Sequence, residues 1–122
     1  MIALFRVALP LLAAGCASEP DRLSAPKVAT GVELAPFAIH EQCFALLSGE
    51  RVAYRFTATQ PVAFNVHFRE GIATIVPVDV KTTLEESEDF TADEGRNYCL
   101  AWEAGPQGSV IDYRVQQVRP RQ

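Results

Sequence analysis

Apolar and polar side chains alternate most strictly between Arg51 and Arg69. Val52, Tyr54, Phe56 and Ala58 take turns with Arg51, Ala53, Arg55 and Thr57. After Thr59-Gln60-Pro61 the pattern resumes, with Val62, Phe64, Val66 and Phe68 interleaved by Ala63, Asn65, His67 and Arg69. A side-chain period of two gives a strand one apolar and one wet face. Two such runs separated by a proline turn predict an antiparallel pair feeding one β core. In a simple register of that pair, His67 stands on the outward face near Arg55 or Arg51.

The flanking sequence predicts more strands and no helix. The domain opens near Gly31, where Val32 and Leu34 begin a strand that Pro36 breaks or confines to a sheet edge. Ile39 to Leu47 is a second extended segment, closed by the turn Ser48-Gly49-Glu50. Glu70-Gly71 turns the chain after the central pair. Ile72 to Val80 is apolar enough to be buried on both faces, with an interruption at Pro77, and Lys81 to Glu88 is weakly patterned. Asp93-Glu94-Gly95 launches a strand in which Tyr98, Leu100 and Trp102 share one face and Cys99 and Ala101 the other. Tyr98 and Trp102 are expected in the core rather than as a ligand platform. Gly105 to Gly108 is the last turn, and Val110 to Val118 closes the domain. The expected fold is all-β, an antiparallel β-sandwich of about seven or eight short strands spanning 31–122.

A chain of 122 residues is enough for one domain, and 48% hydrophobic with 21% charged residues is ordinary for a globular one. The net charge is −4 with no run of Lys or Arg, so no nucleic-acid partner is expected. His40 and His67 are the only histidines, which excludes multi-histidine metal catalysis within one chain. Gly-x-Ser-x-Gly, phosphate-loop and His-Glu-x-x-His motifs are absent, and Ser48 and Ser109 have no histidine near them in sequence. The chain is therefore read as non-enzymatic, with no cofactor and no resident metal.

The N-terminus changes the picture. Residues 1–15 carry Arg6 followed by the apolar run Val7 to Ala14, too short to span a bilayer as a helix and shaped like a secretion signal. Leu12-Ala13-Ala14-Gly15-Cys16 resembles the lipobox of bacterial lipoproteins, although Ala13 stands where a larger aliphatic residue is usual. That resemblance implies cleavage before Cys16, acylation of its thiol, and anchoring to a membrane by several acyl chains. Ala17 and Ser18 follow, and the absence of Asp after the Cys implies the outer membrane, facing the periplasm. The plainer alternative is an ordinary signal peptide cut near Ala17 that leaves a soluble secreted protein. Residues 16–30, with Pro20, Pro26 and mixed charge, read as a tether. If Cys16 is consumed by lipid, Cys43 and Cys99 remain as an even pair, which suits a disulfide in an oxidising compartment; two buried free thiols are the alternative.

Around that pair, Ile39-His40-Glu41-Gln42-Cys43-Phe44, then Leu47, Gly49-Glu50 and the Val52/Tyr54/Phe56 strand, resembles the opening of the GOLD domain of the p24 (emp24) family. Phe90, Gly95 and Tyr98-Cys99-Leu100-Ala101-Trp102 resemble that domain's closing strand. The likeness covers about Val32 to Glu103. It implies a jelly-roll-like sandwich, a Cys43–Cys99 bond and a role in binding rather than catalysis. The p24 coiled coil and C-terminal membrane helix have no counterpart after Val118, so cargo-receptor function is not implied.

Two groups of side chains remain as candidate sites. Glu85, Glu86, Glu88 and Asp89, with Asp93 and Glu94 nearby, are dense enough to take a Ca²⁺ ion or to steer a basic protein partner. The plainer reading, a solvated loop that keeps strand edges from pairing, is preferred because the spacing matches no Ca²⁺ loop. His67 with His40 and either Cys would make a soft-metal set, and the plainer reading of no metal is preferred there too. The expected function is a lipid-anchored binding or assembly module with a protein partner. An alternative is an inhibitor similar to the bacterial lipoproteins that block host lysozymes. The acidity suits those basic enzymes, but the Ser-Gly-x-x-Tyr loop is missing and Trp102 to Gly105 only echoes the family's tryptophan-glycine step.

Overall fold

The computed structural model describes residues 21–118, an all-β chain whose six strands form one curled antiparallel sheet. The strands are β1 (Lys27–Leu34), β2 (Ile39–Leu46), β3 (Arg51–Glu70), β4 (Ala73–Thr91), β5 (Arg96–Ala104) and β6 (Ser109–Val118). Their order is β1-β6-β3-β5-β2, with β4 on the other side of β3.

The spine is β3. Arg51 and Val62 were expected to open two separate strands, yet the segment runs as a single strand of 20 residues. Its first part pairs with β6, from Arg51↔Val118 to Ala58↔Ile111, and its second part with β5, from Val62↔Ala104 to His67↔Cys99. Pro61 therefore marks a change of partner rather than a reversal. It has no N–H to give a ladder, and it falls where the pairing with β4 shifts between Thr57 and Val62. Side-chain parity survives the break, so Val52, Tyr54, Phe56, Val62, Phe64 and Val66 are all buried. The sheet curls there, bringing Tyr54 and Phe56 within 5.0 and 4.8 Å of the Phe64 ring. Trp102, Leu100 and Tyr98 of β5, Ile111 and Val115 of β6, and Phe44 and Leu46 of β2 complete the core. Merging the central pair and absorbing Lys81 to Thr91 into β4 gives six strands where more and shorter ones were expected.

The second correction is β4. Ile72 to Val80 is not buried on both faces: Ile72 is fully exposed, and Ile75 and Val76 are 39% and 43% exposed. β4 pairs only with β3 and so forms an edge. Pro77 is tolerated there, at another register shift between Val66 and Phe68. The hairpin from β3 to β4 closes through Gly71 (φ 60°) and Ile72, because Glu70 faces Ala73 directly. Glycine first in a two-residue loop matches a twist that favours antiparallel strands.

The start of the sheet also lies ahead of Gly31. β1 begins at Lys27, Leu23 packs on the core, and the Ala45 N–H donates to Asp21 at 3.2 Å. Gly108 turns β5 into β6 with φ 69°, and a Cβ there would lie 2.6 Å from the Leu34 carbonyl oxygen.

Candidate functional site

The acidic residues occupy the second part of β4 rather than a loop. Thr57, Phe56, Arg55, Tyr54 and Ala53 of β3 face Glu85, Glu86, Ser87, Glu88 and Asp89 in turn. Opposed residues share a sheet face, so Glu86 and Glu88 lie beside the core residues Phe56 and Tyr54, and Glu85 and Asp89 stand on the outer face. Strand geometry thus divides the carboxylates between two faces. Among the described residues none of them joins a group of three close enough to share one ion. Burial pushes the Tyr54 phenol up to about 12, and Glu88, Glu86 and Asp89 add to it by disfavouring the phenolate. Asp93 and Glu94 follow in the turn to β5. The Asp93 carbonyl accepts from Ser48 Oγ at 2.8 Å, and Glu94 pairs with Arg96, whose guanidinium lies 4.6 Å from the Phe68 ring centre.

On the outer face the sequence reading missed a pair. Arg55 of β3 and Arg114 of β6 are directly opposed, an arrangement that like charges disfavour. Among the described residues neither reaches a carboxylate within 4.0 Å; Arg114 donates to Gln116 at 3.4 Å. The two arginines and Ser87 line a groove of about 640 Å³ that also takes in Glu85, Asp112 and the apolar side chains of Val28 and Phe56. The groove therefore carries two arginines together with Glu85 and Glu86 of β4 and Asp112 of β6. No sequence signal pairs residue 55 with residue 114, because the partner of β3 changes at a proline that looks like a turn.

Cys43 and Cys99 are opposed in the β2–β5 ladder and joined as a disulfide, with Cα atoms 4.0 Å apart. His67 is near neither Arg55 nor Arg51, which lie in the first part of the same strand. As part of an unbroken β3 it is paired with Cys99, on the face that carries the disulfide. Its Nδ1 lies 2.7 Å from the Asn65 side-chain oxygen, and its Nε2 3.6 Å from Glu41 Oε1. His40 points the other way, into the core edge. Its Nε2 is 2.9 Å from the Tyr113 hydroxyl, and Tyr113 stacks on Trp102 at 4.6 Å. Burial raises the Tyr113 phenol. The Trp102 Nε1–H is buried and has no acceptor among the described residues. The two histidines and two cysteines therefore do not converge as one set, and Cys16 lies outside the described residues.

A second unforeseen residue is Glu50, buried in what reads as a polar turn. Arg22 and Gln117 donate to its Oε2, and the Leu47 N–H donates to Oε1 at 2.6 Å. It ties the segment before β1, the β2–β3 turn and the end of β6 together. Set beside known proteins, the chain matches no protein-family model and no curated protein.

Proposed function

We propose that the protein is a non-catalytic binding or assembly module of the cell envelope, held at the outer membrane by lipid on Cys16, that meets a basic protein partner along β4. The observation that carries this reading is the placement of Glu85, Glu86, Glu88 and Asp89 on a strand paired on one side only. A free edge offers backbone donors and acceptors to an incoming strand, and carboxylates along it select a cationic one and speed encounter. The resemblance of Leu12 to Cys16 to a lipobox supports the anchor.

On this reading the curled sheet is a jelly-roll-like sandwich of GOLD type. β1, β6 and the first part of β3 make one layer, and β2, β5 and its second part make the other. The ring contacts across the bend support that arrangement.

The test uses intact cells. A clickable fatty acid labels the wild-type chain and not Cys16→Ser, which moves to the soluble fraction. A photo-crosslinker at Leu84, 51% exposed on β4, gives a discrete adduct that Glu85→Lys with Glu86→Lys removes. No lipid label, or an adduct indifferent to charge reversal, overturns the reading. The same acidic edge favours a second reading, inhibition of a basic lysozyme. Titration of lysozyme with the purified chain decides it, and no inhibition at micromolar protein ends it.

A further inference from the structure

One cluster of ligating side chains lies outside the acidic strand and is unused by the binding function. Glu41 and Cys43 of β2 and Cys99 of β5 bring a carboxylate oxygen and two sulfurs within 4.8 Å of one another. His67 of β3 lies outside that group of three but borders it, opposite Cys99 in the ladder and with its Nε2 3.6 Å from Glu41 Oε1.

The imidazole is already oriented. The Asn65 oxygen, 2.7 Å from Nδ1, only accepts, so Nδ1 carries its hydrogen. Nε2 is thereby turned toward Glu41 Oε1 at 3.6 Å. In a neutral ring that sets two lone-pair atoms face to face, an arrangement that asks for a cation between them. Two ligands held about 2.0–2.1 Å from a tetrahedral zinc ion stand roughly 3.3 Å apart, close to the spacing seen. Metal-binding histidines are commonly held by an acceptor on the far ring nitrogen, a place the Asn65 oxygen takes here.

We propose that Glu41, Cys43, His67 and Cys99 form a zinc site that is closed in the disulfide form and opened by reduction. The step balances with a dithiol reductant. One reductant thiolate attacks a protein sulfur, the S–S bond breaks, and the second reductant thiol resolves the mixed disulfide. Two electrons and two protons pass to Cys43 and Cys99, and the reductant leaves as its own disulfide. Zinc then binds both sulfurs as thiolates and releases the two protons. The ligand set of two thiolates, one imidazole and one carboxylate suits zinc over calcium or magnesium.

The frame is built to survive this opening. The disulfide bridges strands that already pair from Ile39↔Glu103 to Leu46↔Arg96. Phe44, Tyr98 and Leu100 stay buried beneath it. Breaking the S–S bond leaves both sulfurs opposed on a hydrogen-bonded ladder.

The test uses the full chain carrying Cys16→Ser, so that the thiols counted are Cys43 and Cys99. After reduction with a phosphine it should keep its β-sheet circular dichroism and take up one zinc ion per chain in competition with a chromophoric chelator. Cobalt in place of zinc should show thiolate charge-transfer bands and a tetrahedral d–d spectrum. Glu41→Gln, at a side chain about half exposed, and His67→Gln, at one largely covered, should each weaken binding by at least about tenfold. The oxidised chain should bind far more weakly. Failure of the reduced chain to take up zinc, or both variants binding as wild type, overturns the proposal. So does loss of sheet on reduction that zinc does not restore.

Discussion

β3 and β4 are the two long arms of one hairpin, nearly equal in length and hydrogen-bonded to each other along most of it. Their burial could hardly differ more. Along β3 every second residue from Val52 to Phe56 and from Val62 to Val66 is buried, whereas no residue of β4 is. Hydropathy does not explain this, since Ile75, Val76, Val78 and Val80 are as apolar as anything on β3. Neighbours differ: β3 has strands on both sides along its length, and β4 has one side open. An open side alone does not decide burial, since β2 is also an edge and still buries Phe44 and Leu46 against the core.

The widest gap should appear on truncation. Phe64→Ala on β3 removes a ring that touches Tyr54, Phe56 and Trp102, and should cost about 3–5 kcal/mol in urea unfolding. Val76→Ala on β4 should cost under about 0.5 kcal/mol. Equal costs would break the contrast.

The acids offer a second comparison. Glu50→Ala, at the foot of β3, removes a buried carboxylate that accepts from Leu47, Arg22 and Gln117, and should cost about 2 kcal/mol in the same assay. Glu85→Ala on β4 should change stability by less than about 0.5 kcal/mol.

Alkali tests the contact between the two strands. The Tyr54 phenol is held neutral up to about 12 by burial and by the β4 carboxylates, against about 10 in an unfolded chain. The folded chain therefore keeps a proton that the unfolded chain gives up. The stability this brings is complete below about pH 10 and is lost as the pH rises toward 12. Tyr98 and Tyr113 shift in the same direction through burial. The melting temperature should fall above pH 10, less steeply in Tyr54→Phe, and Glu88→Gln should soften the fall by a smaller amount.

The smallest effect belongs to Arg51 and Asp89, a cross-strand ion pair at 3.5 Å with both side chains about half exposed. Asp89→Asn should move the urea midpoint by the equivalent of less than about 0.5 kcal/mol.

Strand content and much of the core were legible in the sequence, because a period of two survives any arrangement of partners. Tyr98, Leu100 and Trp102 were assigned to one face and are buried there. Partner choice was not legible. Thr59-Gln60-Pro61 looks the same whether the chain reverses or passes from one neighbour to another. Reading it as a reversal puts His67 near Arg55 or Arg51, when continuity places it beside Cys99. Glu50 was unreadable for a different reason. Its partners, Arg22 and Gln117, are remote in the chain, and a carboxylate in a Gly-containing turn gives no sign of burial.

The shared spine carries one more consequence. A single strand common to both ends of the sheet couples their melting, because β6 holds its first part, β5 holds its second, and β4 runs along both. Amide hydrogens of Phe56 and Phe64, on opposite sides of Pro61, should therefore exchange through one global opening, with equal free energies and equal denaturant sensitivity.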